Sequence, residues 1–321
     1  MIRGVVATIL ITCATTQVQA DDARACARTF KDWTPDGQPV LRDRVPEENY
    51  EVASDSHVFR IPDGRLRMVY AGDSGGTISI KLARSNDWTT WRDGPVLIGP
   101  DQGGRKARKK ETPFYRRAEN GEHQIFFIGY ANETTYRSQV FLAVADKLNG
   151  PYRMKSKPVI PIGQIGGESV GTITSPGIVE HDGKLFMTFV AWDDYRNVSQ
   201  IWPMGAVSDD DGRTWKNIRK VKAPVAMEGQ ITRTPDGRFL SVRNGEFQET
   251  EAIFLGCATH PFGPYHELTA PVITKSGGRW DRDEITAPQI TFDPVSGAAH
   301  LFYTGAQSQK GWWILHARRG D

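Results

Sequence analysis

The sequence has few of the residues that build metal centres. Seven histidines and three cysteines occur in 321 residues, with neither an H-E-x-x-H segment nor a closely spaced cysteine pair. No glycine-rich loop follows a strand pattern and opens a helix, as nucleotide-binding motifs require. We therefore expect no metal ligands in the site and no required cofactor.

Excess charge and long apolar runs are also absent. There are 40 lysines and arginines against 38 aspartates and glutamates, which argues against a nucleic-acid partner. The apolar run Gly4 to Ala14 is too short to span a membrane, but it precedes small residues at Val18 to Ala20, as signal peptides do. We interpret residues 1–20 as a signal peptide and expect a secreted or periplasmic protein with no membrane partner; an uncleaved anchor is the alternative.

Cysteine is scarce enough to allow at most one intramolecular disulfide after export. Cys13 would leave with the signal peptide, and Cys26 and Cys257 would remain. These two can pair in an oxidising compartment. Two unrelated buried thiols are the alternative, since pairing requires Cα atoms within about 7 Å.

Five segments of the chain share one pattern, a strand followed by a turn that closes on glycine. They are Ser54–Gly64, Lys110–Gly121, Ile173–Gly183, Met227–Gly237 and Ile285–Gly297. Aligned on their apolar residues and closing glycine, they bring five positions into register: Asp55, Glu111, Thr174, Glu228 and Thr286. Further apolar strands follow each segment, and no sustained helical spacing occurs.

The spacing between successive register positions is long enough for one propeller blade of four strands. The pattern predicts an all-β fold, a five-bladed β-propeller with four-stranded antiparallel blades, over residues 51–321. We expect residues 21–50 to form an N-terminal arm that crosses the surface and adds a strand to the last blade.

Two turns between third and fourth strands contain an Asp-box pattern. Ser208 to Trp215 matches S-x-D-x-G-x-T-W, and Ser85 to Trp91 is a shortened version. Aspartate accepts backbone N–H groups in such turns and tryptophan packs under the hairpin. We interpret these turns as structural rather than catalytic.

The repeated strands resemble those of the five-bladed β-propeller glycoside hydrolases of families 43, 32, 62, 68 and 130. Asp55-Ser56-His57-Val58 through Asp63-Gly64 is similar to their first-blade strand, and Glu228-Gly229 to their general-acid strand. The resemblance covers about residues 50 to 318. Two positions depart from family 43: Ser56 stands where proline is usual, and Thr174 where the second aspartate is usual.

The resemblance implies a glycosidase with a carboxylate pair. Register-equivalent residues of the innermost strands should meet in one central pocket, where neighbouring negative charges push carboxyl pKa values apart. The resemblance implies Glu228 as general acid and Asp55 as base or nucleophile. Glu111 would modulate the acid and orient the sugar. A surface or structural carboxylate is the alternative for each.

Six further residues are candidates for substrate binding because they lie beside the register positions or end a strand. They are His57, Arg60, Trp192, Asp193, Asp283 and Glu284. By resemblance, a structural Ca²⁺ in the propeller channel is neither required nor excluded.

The basic run Arg105 to Lys110 directly precedes Glu111. It would favour an acidic polysaccharide if it lies at the pocket mouth, and it is otherwise a solvated loop. We thus expect an exported, monomeric, family 43-like glycoside hydrolase acting on a polysaccharide or its oligosaccharides, with inversion by analogy. A sialidase-like enzyme and a non-catalytic carbohydrate-binding propeller are the alternatives.

Overall fold

The computed structural model describes residues 20–42, 51–74, 76–131, 136–224 and 226–320, with the side chains of residues 105 and 106 left aside. Most of the predicted signal peptide and the end of the arm, residues 43–50, lie outside the described residues. Within these ranges no helix has the length and hydropathy needed to cross a membrane.

The arm contains an α-helix over residues 20–29 and strand β1 (Trp33–Pro35). The first repeat forms β2 (Glu51–Arg60), β3 (Leu66–Asp73), β4 (Ile78–Ser85) and β5 (Val96–Ile98). A 3₁₀ helix (Gly104–Ala107) precedes the second repeat, which forms β6 (Lys109–Arg117), β7 (His123–Tyr130), β8 (Gln139–Ala145) and β9 (Arg153–Met154).

A small hairpin, β10 (Gly163–Ile165) and β11 (Glu168–Val170), precedes the third repeat. That repeat forms β12 (Thr172–His181), β13 (Lys184–Trp192), β14 (Ile201–Ser208) and β15 (Lys216–Lys220). The fourth forms β16 (Gly229–Arg233), β17 (Phe239–Phe247), β18 (Thr250–Ala258), β19 (His266–Glu267) and β20 (Ile273–Thr274). The fifth forms β21 (Glu284–Phe292), β22 (Ala299–Gln307) and β23 (Gly311–Arg319).

Within each repeat the strands pair antiparallel, which confirms the predicted all-β class. In the fourth repeat, both β19 and β20 pair with β18. The first and fifth repeats are joined, because β2 pairs parallel with β23 through Glu51–Gly311 and Val52–Trp312. Their strands therefore form one sheet of order β21-β22-β23-β2-β3-β4-β5. β1 pairs antiparallel with β23, so the arm adds the strand that the sequence predicts.

The innermost strands of four repeats share a β-bulge near the register positions. Pairing shifts between Ser54 and His57 in β2, Glu111 and Phe114 in β6, Thr174 and Gly177 in β12, and Thr286 and Gln289 in β21. One residue in each bulge has a left-handed φ: Asp55 (52°), Thr112 (46°), Ser175 (52°) and Ala287 (46°). Such conformations are costly outside glycine and tend to occur at functional sites.

The bulges correct the register assigned from sequence. Ser54 and Glu111 are each the last paired residue before the bulge, so Asp55 lies level with Thr112, one residue beyond Glu111. The alignment was wrong here because sequence spacing does not show where an unpaired residue is inserted.

Apolar side chains cover both faces of the sheets. The arm packs on the fourth and fifth repeats through Cys26 and Ala27 of its helix and through Phe30 directly after it. These residues share a buried cluster with Leu255 and Leu301. The structure contains the Cys26–Cys257 disulfide, with Cα atoms 6.0 Å apart. This bond attaches the arm to β18.

The Asp-box turns have the hydrogen bonds expected of structural turns. Asp210 Oδ1 accepts from the backbone N–H of Arg213 (3.1 Å) and Thr214 (2.9 Å). Asp87 Oδ1 accepts from the backbone N–H of Thr89 (3.0 Å) and Thr90 (2.6 Å). These carboxylates hold their own turns.

Candidate active site

One cavity of about 750 Å³ opens where the innermost strands of several repeats begin. Asp55, Glu111 and Glu228 all line it, together with Trp192 and Glu284. The predicted carboxylates therefore meet in one site, although they are 56 and 117 residues apart in sequence (55 to 111 and 111 to 228). The further lining residues are Val52, Ser54, Asp73, Gly76, Ile78, Lys109, Tyr130, Tyr136, Tyr195, Met227, Asn244, Glu251, Thr286 and Trp312.

Two tyrosine hydroxyls hold Glu111 at the start of β6. Tyr130 donates to Oε1 (2.5 Å) and Tyr136 to Oε2 (2.7 Å). Burial raises the pKa of Glu111, while these two hydrogen bonds and the nearby Lys109 lower it. Burial and the Glu111 charge raise the pKa of both tyrosines, so both remain donors at physiological pH.

Glu228, directly before β16, is held by residues of the third and fifth repeats. Its Oε2 accepts from Thr286 Oγ1 (2.6 Å) and from the backbone N–H of Ala287 (2.9 Å). Burial raises the pKa of Glu228, and these hydrogen bonds and one from Thr174 lower it. Both threonines of the sequence register thus donate to the same glutamate.

Asn244 on β17 supports this arrangement. Its Oδ1 accepts from the backbone N–H of Glu228 (2.9 Å), and its Nδ2 donates to Thr286 Oγ1 (3.1 Å). The threonine hydroxyl is therefore oriented with its proton toward Glu228.

Asp55 receives fewer donors than the two glutamates. Ser54 Oγ donates to Oδ2 (2.6 Å), and the Asp55 backbone N–H is bonded to Thr304 (3.1 Å). Burial, followed by the charges of Glu228 and Glu111, raises the pKa of Asp55 well above its usual range. Three buried carboxyls that face one space disfavour one another's ionisation, as the general acid of a carboxylate pair requires.

Aromatic side chains form one wall of the cavity. The ring centroids of Tyr130 and Tyr136 lie 4.4 Å apart, and those of Tyr136 and Tyr195 4.1 Å apart. Tyr195 is parallel to Trp192 within 4°, at 5.6 Å. Such a wall can pack against the apolar faces of a sugar ring.

The cavity is strongly acidic. Six carboxyl residues line it: Asp55, Asp73, Glu111, Glu228, Glu251 and Glu284. Lys109 is the only cation among the described lining residues. Lys110 is buried instead, and its Nζ donates to the backbone carbonyl of Ala107 (2.6 Å). Of the side chains in the basic run that the structure describes, that of Lys109 lines the cavity.

The structure places His57 and Arg60 outside this cavity. His57 follows the bulge of β2, accepts from the backbone N–H of Tyr115 (3.2 Å) and packs on Phe114, and burial lowers its pKa to about 3. Arg60 forms an ion pair with Asp293 (3.1 Å). We leave both out of the proposed site.

Asp193 and Asp283 also do not line the cavity. Asp193 Oδ1 accepts from the backbone N–H of Ser199 and Gln200, both at 3.1 Å, and so organises its own loop. Asp283 forms an ion pair with Arg282 (2.9 Å). Both carboxylates interact with groups close to them in sequence, and we leave them out of the proposed site as well.

Sequence reasoning missed five side chains that build the site: Tyr130, Tyr136, Tyr195, Asn244 and Glu251. Tyr130 ends the apolar strand that follows the second repeat segment, and a polar group at that point was the available signal. Tyr136 and Tyr195 lie in loops, where the repeat pattern gives no register.

Glu284, at the start of β21, lies in the same acidic group. Burial first, and then the charges of Glu228 and Glu251, raise its pKa to about 7. When folding raises the pKa of a carboxyl, the protein loses stability as the pH rises from the pKa of that group in the unfolded chain to its pKa in the folded protein. For Glu284 this window runs from 4.5 to about 7.

Replacement of Glu284 by Gln should therefore stabilise the protein more at pH 8 than at pH 5. The difference could reach about 3 kcal/mol, because one pKa unit corresponds to about 1.4 kcal/mol. Thermal unfolding of both proteins at the two pH values measures it. Glu180→Gln, at an exposed position on β12, is the matched control. An equal change in both variants would contradict the prediction.

No protein-family model and no curated protein sequence matches the chain. Solved structures do match over most of its length. A family 117 glycoside hydrolase, Zg3597 of Zobellia galactanivorans, has a TM-score of 0.67 at 15% identity over 90% of both chains. An endo-arabinase from Bacteroides thetaiotaomicron has a TM-score of 0.66 at 14% identity, over 91% of this chain and 98% of its own.

The α-L-arabinofuranosidase PaAbf62A of Podospora anserina, solved with cellotriose, is similar to the same extent. Its TM-score is 0.65 at 12% identity, over 91% of this chain and 98% of its own. Agreement over nearly whole chains at such low identity reflects a common arrangement of strands. The chain therefore shares the propeller-type fold of these glycoside hydrolases.

Proposed function

We propose that the chain is an exported glycoside hydrolase built as a five-bladed β-propeller. The observation that carries the proposal is the meeting of Asp55, Glu111 and Glu228, from three repeats, in one cavity with an aromatic wall. Glycosidic cleavage requires one carboxylic acid to protonate the leaving oxygen and one carboxylate to act as base or nucleophile. The solved structures of similar fold support this class of reaction.

In this proposal Glu228 is the general acid. Its Oε2 is fixed by hydrogen bonds from Thr286 and Ala287, which orient the carboxyl group in the cavity. Asp55 is the base or nucleophile, and we propose inversion, which ¹H NMR of the first-formed product tests. Glu111, whose carboxylate accepts hydrogen bonds from two tyrosines, adds negative charge beside both Glu228 and Asp55.

The reverse assignment of acid and base has an observation in its favour. Glu228 receives hydrogen bonds from Thr286 and Ala287, whereas the Asp55 carboxylate receives one from Ser54. Donated hydrogen bonds favour the ionised form, so this geometry favours the proton on Asp55 rather than on Glu228. The activity of Glu228 and Asp55 variants on substrates with good and poor leaving groups separates the two assignments.

We propose a neutral glycan as the substrate. Six carboxyl residues against Lys109 repel a uronate or sialate carboxylate, and no arginine lines the described part of the cavity. A sialidase-like site would need cations to hold the carboxylate of its substrate. This arrangement favours neutral over acidic polysaccharide.

The test is a panel of neutral and uronate-containing oligosaccharides incubated with the purified mature protein, followed by product analysis. Hydrolysis confined to neutral members is expected. Binding without hydrolysis would instead support a carbohydrate-binding propeller, and hydrolysis of uronate-linked members would contradict a neutral substrate.

Tyr136→Phe should move the acid limb of the kcat/KM profile, which reports the ionisation of the base Asp55, to lower pH by up to about one unit. The change removes a hydrogen bond that favours the ionised Glu111 carboxylate, so Glu111 keeps its proton to higher pH, and the negative charge that raises the pKa of Asp55 is weakened. Tyr195→Phe is the matched control, because this residue belongs to the same aromatic wall. An unshifted acid limb in Tyr136→Phe, or an equal shift in the control, would argue against this role of Tyr136.

A further inference from the structure

A second, very small cavity lies where the innermost strands of all five repeats meet. Its lining residues are Asp55, Ser56, Thr112, Ser175, Gly229, Gln230, Ala287 and Pro288, and its volume is about 10 Å³. This is close to the smallest volume that holds one water molecule. Because Asp55 lines both cavities, whatever occupies this space lies against a proposed catalytic residue.

Two hydroxyl groups of this axial cavity lack hydrogen-bond partners. Ser56 Oγ and Thr112 Oγ1 are both buried and unpaired, on residues that are 2% and 3% exposed. Buried hydroxyls without a partner are unfavourable, and proteins usually satisfy them with ordered water. Two such groups around a space of this size indicate an occupant that both donates and accepts hydrogen bonds.

The residues of the axial cavity do not fit a Ca²⁺ ion. Calcium takes six to eight oxygen ligands, with several carboxylates among them. Asp55 is the only carboxylate of this lining, and the described residues contain no group of three or more His, Cys, Asp or Glu that could hold a metal ion. Hydroxyls and one carboxylate instead match the needs of water, which requires two to four polar partners.

We propose that the axial cavity holds one water molecule bonded to Ser56, Thr112 and Asp55, and that Ser56 and Thr112 are positioning residues for the Asp55 carboxyl group. The water accepts from a hydroxyl and donates to the carboxylate. The water site stands independently of the proposed function, whereas the positioning role rests on it.

This water has a defined effect on Asp55. The charged or titratable groups acting on Asp55 are Glu111 on β6, Tyr130 on β7, Glu228 before β16 and Glu284 on β21. Burial and the negative charges disfavour ionised Asp55, and a hydrogen bond donated to the carboxylate favours it. Loss of the water should therefore raise the pKa of Asp55 further.

Ser56→Ala and Thr112→Val test the proposal, with Ser79→Ala as the matched control. Ser79 Oγ is also buried and unpaired but lies outside both cavities, so its removal should leave Tm unchanged or raise it. The two axial variants should instead lower Tm by a few degrees. In the active enzyme they should move the acid limb of kcat/KM upward by about one pH unit, a tenfold change in the ionisation constant.

Diffraction at high resolution gives a readout without turnover. One density peak with contacts of about 2.7–3.2 Å is expected for water, against about 2.3–2.6 Å for calcium. A peak with calcium distances, or axial variants that gain Tm as Ser79→Ala does, would overturn the water site. Lowered Tm with an unchanged acid limb would overturn the positioning role. Absence of all hydrolysis would refute the proposed function and the positioning role with it, while the water site is judged on density and Tm alone.

Discussion

Replacement of Glu228 by Gln is expected to lower kcat on an unactivated glycan by roughly 10³-fold, because it removes the proton that the leaving oxygen needs. Gln is nearly the same size and keeps an oxygen that can accept from Thr286 and Ala287. The glycan should therefore still bind, with its Kd changed much less than kcat.

The leaving group provides the decisive measurement. An acidic phenol leaves an aryl glycoside as the phenolate, without protonation. Glu228→Gln should therefore keep most of its activity on an aryl glycoside while losing its activity on the glycan. Asp55→Asn should lose activity on both, because the base or nucleophile is needed in each case. Glu246→Gln, on the exposed end of β17, is the matched control on the same repeat.

Other results would separate the alternatives. Equal losses on both substrates in Glu228→Gln, with aryl activity retained in Asp55→Asn, would reverse the assignment of acid and base. A wild-type protein that binds glycans but never cleaves them would assign the chain to the carbohydrate-binding class.

Three carboxylates of the site, Asp55, Glu111 and Glu228, were accessible from sequence because they belong to the repeated segments. Asp55 and Glu228 each lie six residues before the residue whose N–H closes the following turn, Ile61 and Thr234, and turn residues are visible in sequence. The structure places Glu111 in the predicted cavity, but one residue before the level of Asp55, with which the sequence alignment paired it. The bulge that separates it from Asp55 depends on strand pairing, which one sequence does not show.

The side chains that tune the carboxylates were less accessible. Tyr136 and Tyr195 come from loops, and Asn244 acts through its bonds to Glu228 and Thr286. Conversely, His57 and Arg60 lie on the correct strand but outside the cavity, because β2 continues past the bulge into a different packing environment. Strand position alone does not give the direction of a side chain when a bulge intervenes.

The disulfide carries the largest expected effect on stability. Its sequence separation is 231 residues, and the chain-entropy model gives about 5 kcal/mol for closing a loop of this size. Cys257→Ala should therefore lower Tm by roughly 10–20 °C, since a large domain loses about 2–4 °C per kcal/mol. Calorimetry of the mature protein with and without reductant measures the change.

Three comparisons make this test specific. Cys26→Ala, Cys257→Ala and the double variant should unfold at similar temperatures, because each removes the same bond. Reductant should lower Tm of the wild-type protein and leave the variants unchanged. Two titratable thiols in the unfolded, unreduced mature protein would show that the bond is not formed.

The position of the disulfide connects this loss of stability to the site. The arm is bonded to the fourth repeat through Cys257 on β18 and to the fifth repeat through the pairing of β1 with β23. Glu228 of the fourth repeat accepts its hydrogen bonds from Thr286 and Ala287 of the fifth. The arm therefore braces the two repeats whose contact orients the proposed acid. Cys257→Ala should keep its activity well below Tm, and its temperature of inactivation should fall in step with Tm.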